Sequence, residues 1–303
     1  MHTHPHQSAT GRRLQFSLLA TGLFVVVEFV AGLKAHSLAL LSDAGHNFTD
    51  ALALLLAWFA FYVASKPANE TKTYGYQRAG VLAALVNALT LVVLAGFIFF
   101  ESYHRLARPQ QVSEKIMIWV AAVGLVVNLG IMLGLRSASR HDLNIRTAFI
   151  HMLGDALSSV GIIAGGFLIA ATGYHWIDPV LSILIGLLIL WTSWGIIQES
   201  LNILLEGLPR ALRLETVVEA LRQVPGVIDV HDLHIWSLAS HTHALSCHVM
   251  IEDLPPSSSD STLRSVNEML ERSFHITHTT IQFEHVPCEI SSAGCAANRH
   301  EHG

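Results

Sequence analysis

Four stretches of this sequence carry no charged residue over the length of a bilayer crossing. They are Ala79–Phe100 (22 residues), Ile116–Leu135 (20), Ala156–Tyr174 (19) and Pro179–Gln198 (20). A hydrocarbon core about 30 Å thick takes about 20 apolar residues of helix, so each stretch predicts a transmembrane span. Two more spans are interrupted by polar groups: Leu14–Leu33 contains Glu28, and Leu38–Ala64 contains Asp43, His46 and Asp50. The expectation is therefore six transmembrane helices. A cleaved signal peptide does not account for the first, because Ala31-Gly32-Leu33-Lys34 is a poor small-residue cleavage site and the span is long. Only 14% of the residues are charged, against about a quarter in soluble domains. That excludes a disordered chain and a charge-driven nucleic-acid binder.

Charge divides the chain. Residues 1–208 hold 12 Lys/Arg and 11 Asp/Glu, whereas residues 209–303 hold 6 and 12 together with 10 of the 19 histidines. The last 95 residues thus have the composition of a small acidic soluble domain. Its helical and strand periodicities predict the order αββαβ: a helix over Arg213–Gln223, strands over Val227–Leu238 and Thr242–Glu252, a helix from about Ser261 to Phe274, and a strand over Thr279–Val286. All three cysteines (Cys247, Cys288, Cys295) lie in this tail, and an odd number fits a reducing compartment better than a disulfide framework. Loop charge agrees. With the N-terminus inside, the inner segments carry Arg12, Arg13, Lys66, Lys72, Arg78, Arg136, Arg140 and Arg146, against Lys34, Arg105, Arg108 and Lys115 outside. The positive-inside rule then places both termini in the cytoplasm. The expected organisation is a cytoplasmic histidine-containing tail (1–13), a six-helix membrane domain (14–208), a cytoplasmic regulatory and dimerisation domain (209–288) and a flexible C-terminal tail (289–303).

An ionisable group at the bilayer centre costs at least about 2.5–3.5 kcal/mol on insertion scales, yet two spans carry the same polar pattern. Span two holds His46-x-x-x-Asp50 and span five holds His151-x-x-x-Asp155. Positions i and i+4 lie on one helix face, so each helix presents an imidazole and a carboxylate in one direction. At 1.5 Å per residue, Asp50 lies about 18 Å in from one end of its span and Asp155 about 16 Å in from the other. The two pairs are expected to meet near the midplane, where two nitrogens and two carboxylate oxygens can close the tetrahedron that zinc prefers. A single such pair is also explained as a hydrogen-bonded structural group; two pairs matched in depth favour a metal site.

The sequence resembles the cation diffusion facilitator family, the zinc exporters that include the vertebrate vesicular zinc transporters. The resemblance is carried in order by Ser37 to Asp50, Gly75 to Gly80, His151 to Gly161, His231-Asp-Leu-His-Ile-Trp236 and Thr280-Ile-Gln-Phe-Glu284. It implies that His46, Asp50, His151 and Asp155 form the transport site, with His46 in place of an aspartate associated with zinc preference. It also implies a metallochaperone-like (ferredoxin-like) α+β tail that dimerises. His231, His248, His278 and Glu284 are its candidate regulatory zinc ligands. Two features depart from relatives. The Ser65–Tyr76 loop has no histidine, and Arg136–Arg146 is short with only His141. The terminal histidines (His2, His4, His6, His300, His302) are either weak metal-gathering tails or exposed residues without a role.

The charge count suggests how such a site moves zinc. With both aspartates ionised and both histidines neutral, the empty site carries −2 in a poorly solvated place. Zn2+ cancels that charge, and so do two protons, which predicts zinc/proton exchange by alternating access. Zn2+ is thus expected as transported substrate and as regulatory ligand, with Cd2+ and Co2+ as alternative substrates, since ligand type alone orders metal affinities weakly. The expected partners are the bilayer, protons and a second copy of the chain, and the expected location is a bacterial inner membrane. An intramembrane metalloenzyme is disfavoured, since the chain has no His-Glu-x-x-His and four matched ligands leave no open position. A membrane-anchored metal sensor remains as the alternative; it makes the intramembrane ligands dispensable.

Overall fold

The computed structural model describes residues 22–135, 143–239, 242–253 and 255–285. Six long helices are followed by a small α+β domain. Helix α1 is described over 22–35, and α2 (Leu38–Ala64), α3 (Ala79–Ala107), α4 (Glu114–Leu135), α5 (Leu143–Thr172) and α6 (Ile177–Leu204) follow. Each of α2–α6 is long and apolar enough to cross a membrane. Their surfaces show the inversion that a lipid solvent selects: Phe61, Val93, Trp119 and Trp191 are more than 70% exposed, which would be costly in water. Many of the buried positions are instead small or polar, among them Ala39, Ala95, Ser102, Ser182 and Ser193. Hydrocarbon supplies no driving force for helices to hide apolar groups from one another, so their contacts depend on close approach and hydrogen bonds.

The chain divides into two compact units, Met1–Leu56 with Val86–Ile196, and Ala57–Leu85 with Ile197–Gly303. In the first, Ala35, Ala39, Leu40, Met117, Ala121, Ile162 and Ile169 form one apolar cluster joining α1, α2, α4 and α5, while Leu91, Ala95, Ile98 and Ile189 join α3 to α6. Close approach is concentrated on α5. A Cβ at Gly166 would lie 2.6 Å from Ile118, and one at Gly165 would collide with Leu181. Gly161, which the spacing Gly161-x-x-x-Gly165 also predicts at a helix contact, faces open space.

The start of α2 is fixed from another helix. Asp178, in the first turn of α6 and fully buried, accepts hydrogen bonds from Ser37 Oγ (2.6 Å), Leu38 N (2.7 Å) and Ala39 N (3.3 Å). Ser37 Oγ in turn accepts from Leu40 N at 3.2 Å. The orphan N–H groups of a helix start are thereby satisfied, with a carboxylate at the positive end of the helix dipole.

The second unit contains α7 (Leu214–Arg222), β1 (Asp229–Ala239), β2 (Thr242–Met250), α8 (Pro256–Phe274) and β3 (Ile276–Glu284). This is the αββαβ order expected. The sheet runs β1-β2-β3, with β1 antiparallel to β2 and β2 parallel to β3. Val217 and Leu221 of α7, Val266 and Leu270 of α8, and Leu245, Cys247 and Val249 of β2 share one core. Because side chains alternate across a strand, Ser246 and His248 stand on the face away from that core. Most boundaries fall within two residues of the sequence reading, and two starts differ by more. Helix α8 begins at Pro256, since proline suits the first helical turn, where its missing N–H is not needed. Strand β3 begins at Ile276 because His275 ends α8 in the left-handed conformation (φ 55°) and the chain turns directly into the sheet.

Candidate metal centres

Helix α2 carries His46 and Asp50 one turn apart, and His46 Nε2 lies 3.7 Å from Asp50 Oδ2. The same nitrogen lies 4.0 Å from Asp155 Oδ1 on α5. Ligand atoms held about 2.0–2.2 Å from zinc at tetrahedral angles are about 3.3–3.6 Å apart. Each carboxylate thus stands within a few tenths of an ångström of the separation that a shared ion would set from the His46 nitrogen. Asp155 is nearly buried (5% side-chain exposure), while His46 and Asp50 keep 20% and 27%. The site is thus shielded yet reachable. His151 belongs to α5 one turn before Asp155; its side chain lies outside the described residues.

Two further buried contacts hold α2 in place around this point. Asn47 Nδ2 donates to Glu28 Oε2 of α1 at 3.2 Å, and Ser158 Oγ of α5 donates to Asp43 Oδ1 at 2.6 Å. Glu28, Asp43 and Asn47 are each under 10% exposed. Residues 38–64 contain no lysine or arginine. Asp178 escaped the sequence reading altogether. Its only signals were an acid beside Pro179 at a span entrance and Ser37 preceding another.

The C-terminal domain gathers a second group. His231 Nε2 lies 3.1 Å from Glu284 Oε2, and His248 Nδ1 lies 2.9 Å from Glu284 Oε1. The imidazole rings are 5.3 Å apart and nearly perpendicular. Despite these short distances, His231 Nε2, His248 Nδ1 and Glu284 Oε2 make no hydrogen bond. The atoms converge on a point rather than donate to one another, and all lie within 4.8 Å. Two imidazole nitrogens and a carboxylate oxygen are a donor set that zinc accepts. Register explains the meeting: His231 pairs with His248 across β1 and β2, and Gln282, two residues before Glu284, pairs with His248 across β2 and β3.

His278 does not join them. It sits on the same face of β3 as Glu284 but six residues earlier, about 20 Å away at roughly 3.3 Å per residue. There its ring packs edge-on against Tyr74 at 5.2 Å. Cys247, between His248 and Ser246, faces the core on the other side of the sheet from these groups, and burial pushes its thiol up to about 12. The terminal histidines, Cys288 and Cys295 lie outside the described residues.

Comparison with known proteins identifies the family. The cation efflux transmembrane domain model matches residues 14–205, and the model for the cytoplasmic domain of cation efflux proteins matches 209–286. The cation efflux system protein CzcD of Alcaligenes sp. is 41% identical over 96% of this chain and 92% of its own. The zinc transporter ZitB of Escherichia coli is 36% identical over 99% of both. A protein of Bacillus subtilis named cadmium, cobalt and zinc/H(+)-K(+) antiporter is 37% identical over 93% of this chain and 91% of its own. Among solved structures, the metal-bound C-terminal domain of the CzcD transporter from Cuprividus metallidurans is 38% identical over 24% of this chain and 99% of its own, with a TM-score of 0.22. The chain therefore belongs to the cation diffusion facilitator family of cation efflux proteins, and it is an integral membrane transporter of metal cations, not an enzyme.

Proposed function

We propose that this protein exports Zn2+ from the cytoplasm in exchange for protons, through a site made of His46, Asp50, His151 and Asp155. The observation that carries the reading is the approach of one imidazole nitrogen to two carboxylates on different helices, 3.7 and 4.0 Å away. Zinc needs its ligands deprotonated, and the empty site is a concentration of negative charge between apolar helices. Zn2+ loading and protonation of the ligands are alternative ways to neutralise it. Zinc entering from the cytoplasm occupies the deprotonated site; after the bundle reopens outward, protons displace it. Rigid-body rocking of helices around a fixed site is the general form of such exchange. The zinc/H(+)-K(+) antiporter name of the Bacillus relative supports the counter-ion.

On this reading both termini and the α+β domain are cytoplasmic and the membrane is a bacterial inner membrane. The domain, residues 209–288, dimerises and binds regulatory zinc at His231, His248 and Glu284. The test is zinc flux in proteoliposomes under an imposed pH gradient, with Asp155→Ala as control. Flux should follow the gradient and vanish in the variant. Zinc flux indifferent to the gradient removes proton coupling. Wild-type activity in both Asp50→Ala and Asp155→Ala removes the transport site and restores the sensor alternative.

A further inference from the structure

Strand β1 does not alternate regularly. His231 pairs with His248 but His234 pairs with Ser246, so three steps on β1 match two on β2. This is a β-bulge. Core-facing positions show the same irregularity: Val230 is buried, and the next buried residues are Leu233 and Ile235. The extra residue brings His234 back to the face that carries His231 and His248. It also places Asp232 in the left-handed conformation, φ 51°, a region that costs most non-glycine residues about 1 kcal/mol or more. The Asp232 carboxylate, with 18% side-chain exposure, then lies between two imidazoles. Its Oδ1 is 3.2 Å from His234 Nε2 and its Oδ2 is 3.9 Å from His248 Nε2.

The nitrogen of His248 facing Asp232 is the one opposite the metal candidate, since Nδ1 is the atom beside Glu284. A neutral imidazole carries its proton on one nitrogen and its lone pair on the other. At 3.9 Å the Asp232 carboxylate makes no direct hydrogen bond to Nε2, but its negative charge favours the tautomer with the proton there and leaves the Nδ1 lone pair for a cation. Metal-binding histidines are commonly oriented in this way, and removing the outer carboxylate typically costs 10–100-fold in affinity.

We propose that Asp232 is a positioning residue of the C-terminal zinc site, held by the β1 bulge and by His234 so that His248 offers Nδ1 to the metal. The proposal rests on the reading of His231, His248 and Glu284 as a zinc site. It accounts for an aspartate in the bulge: glycine would adopt this backbone at less cost but has no carboxylate.

That contrast supplies the test. Full-length protein carrying Asp155→Ala, to weaken the membrane site, is titrated with Zn2+ against a chromophoric chelator and with Co2+ by its visible spectrum. Into this background go Asp232→Gly, Asp232→Asn and His231→Ala. Glycine and asparagine both suit a left-handed residue, so thermal stability in chelator should hold. Zinc affinity at the domain site should fall about 10–100-fold in both, and the Co2+ bands should shift with the altered ligand. His231→Ala should abolish the site. If His231→Ala abolishes binding while both Asp232 variants bind Zn2+ and absorb as the background does, Asp232 serves only the backbone and the inference is overturned. If His231→Ala leaves domain binding unchanged, the zinc site itself is refuted, and the role of Asp232 with it.

Discussion

Asp178→Ala offers a sharp test of how the membrane site is held at its depth. The substitution deletes a buried acceptor that receives Ser37 Oγ at 2.6 Å and Leu38 N at 2.7 Å, plus a longer bond from Ala39 N. Hydrogen bonds to a charged group contribute about 1.5–3 kcal/mol each. The two short ones together give about 3–6 kcal/mol, with the third too long to add much. No neighbouring water replaces them easily, because Ser37 and Leu38 are 0% and 3% exposed. At roughly 2–4 °C per kcal/mol for a chain of this order of size, the melting midpoint in detergent should fall by roughly 6–24 °C. His46 is eight residues, about 12 Å, along the helix from Leu38, so fraying there loosens the ligand. Zinc affinity should fall along with stability. The assay is thermal unfolding by circular dichroism, paired with hydrogen exchange at Leu38–Leu41. A midpoint within 2 °C of wild type, with amide exchange unchanged, would falsify the claim that α6 anchors the start of α2.

Other outcomes follow from the same packing. Gly166→Val should cost about 1–3 kcal/mol by overpacking against Ile118. Gly161→Ala, with nothing near its Cβ, should be neutral or stabilising by up to about 1 kcal/mol, because alanine is the better helix former. Thermal unfolding of the two variants checks both, and equal effects would refute the assigned face. Leu270→Ala in the α+β core should cost about 2–5 kcal/mol, read as earlier loss of the sheet signal on heating. Cys247 should resist iodoacetamide at pH 8 in the native protein and react once denaturant is added, because burial pushes its thiol up to about 12. Mass spectrometry of the peptide containing Cys247 reports this, and rapid native labelling would contradict the buried position.

Sequence alone determined what depends on local periodicity and composition. Uncharged runs specify spans, because an unsatisfied or charged group in hydrocarbon is costly wherever it falls. His46-x-x-x-Asp50 and His151-x-x-x-Asp155 share helix faces by the 3.6-residue repeat, whatever packs around them. The αββαβ order came from the change between helical and alternating patterns. Tertiary structure decided what depends on distance between segments far apart in sequence. The approach of His46 to Asp155 spans 109 positions of chain and is fixed by helix packing. Asp178 became the cap of α2 from 140 residues away, a partnership with no local signature. In the C-terminal domain, strand alternation let His278 and Glu284 share a face, but pairing register placed only Glu284 beside His231 and His248. Register is a property of two strands together, and a bulge of one residue changes which side chains meet. That is why the candidate residues of this domain could be named from the chain, while which of them stand together could not.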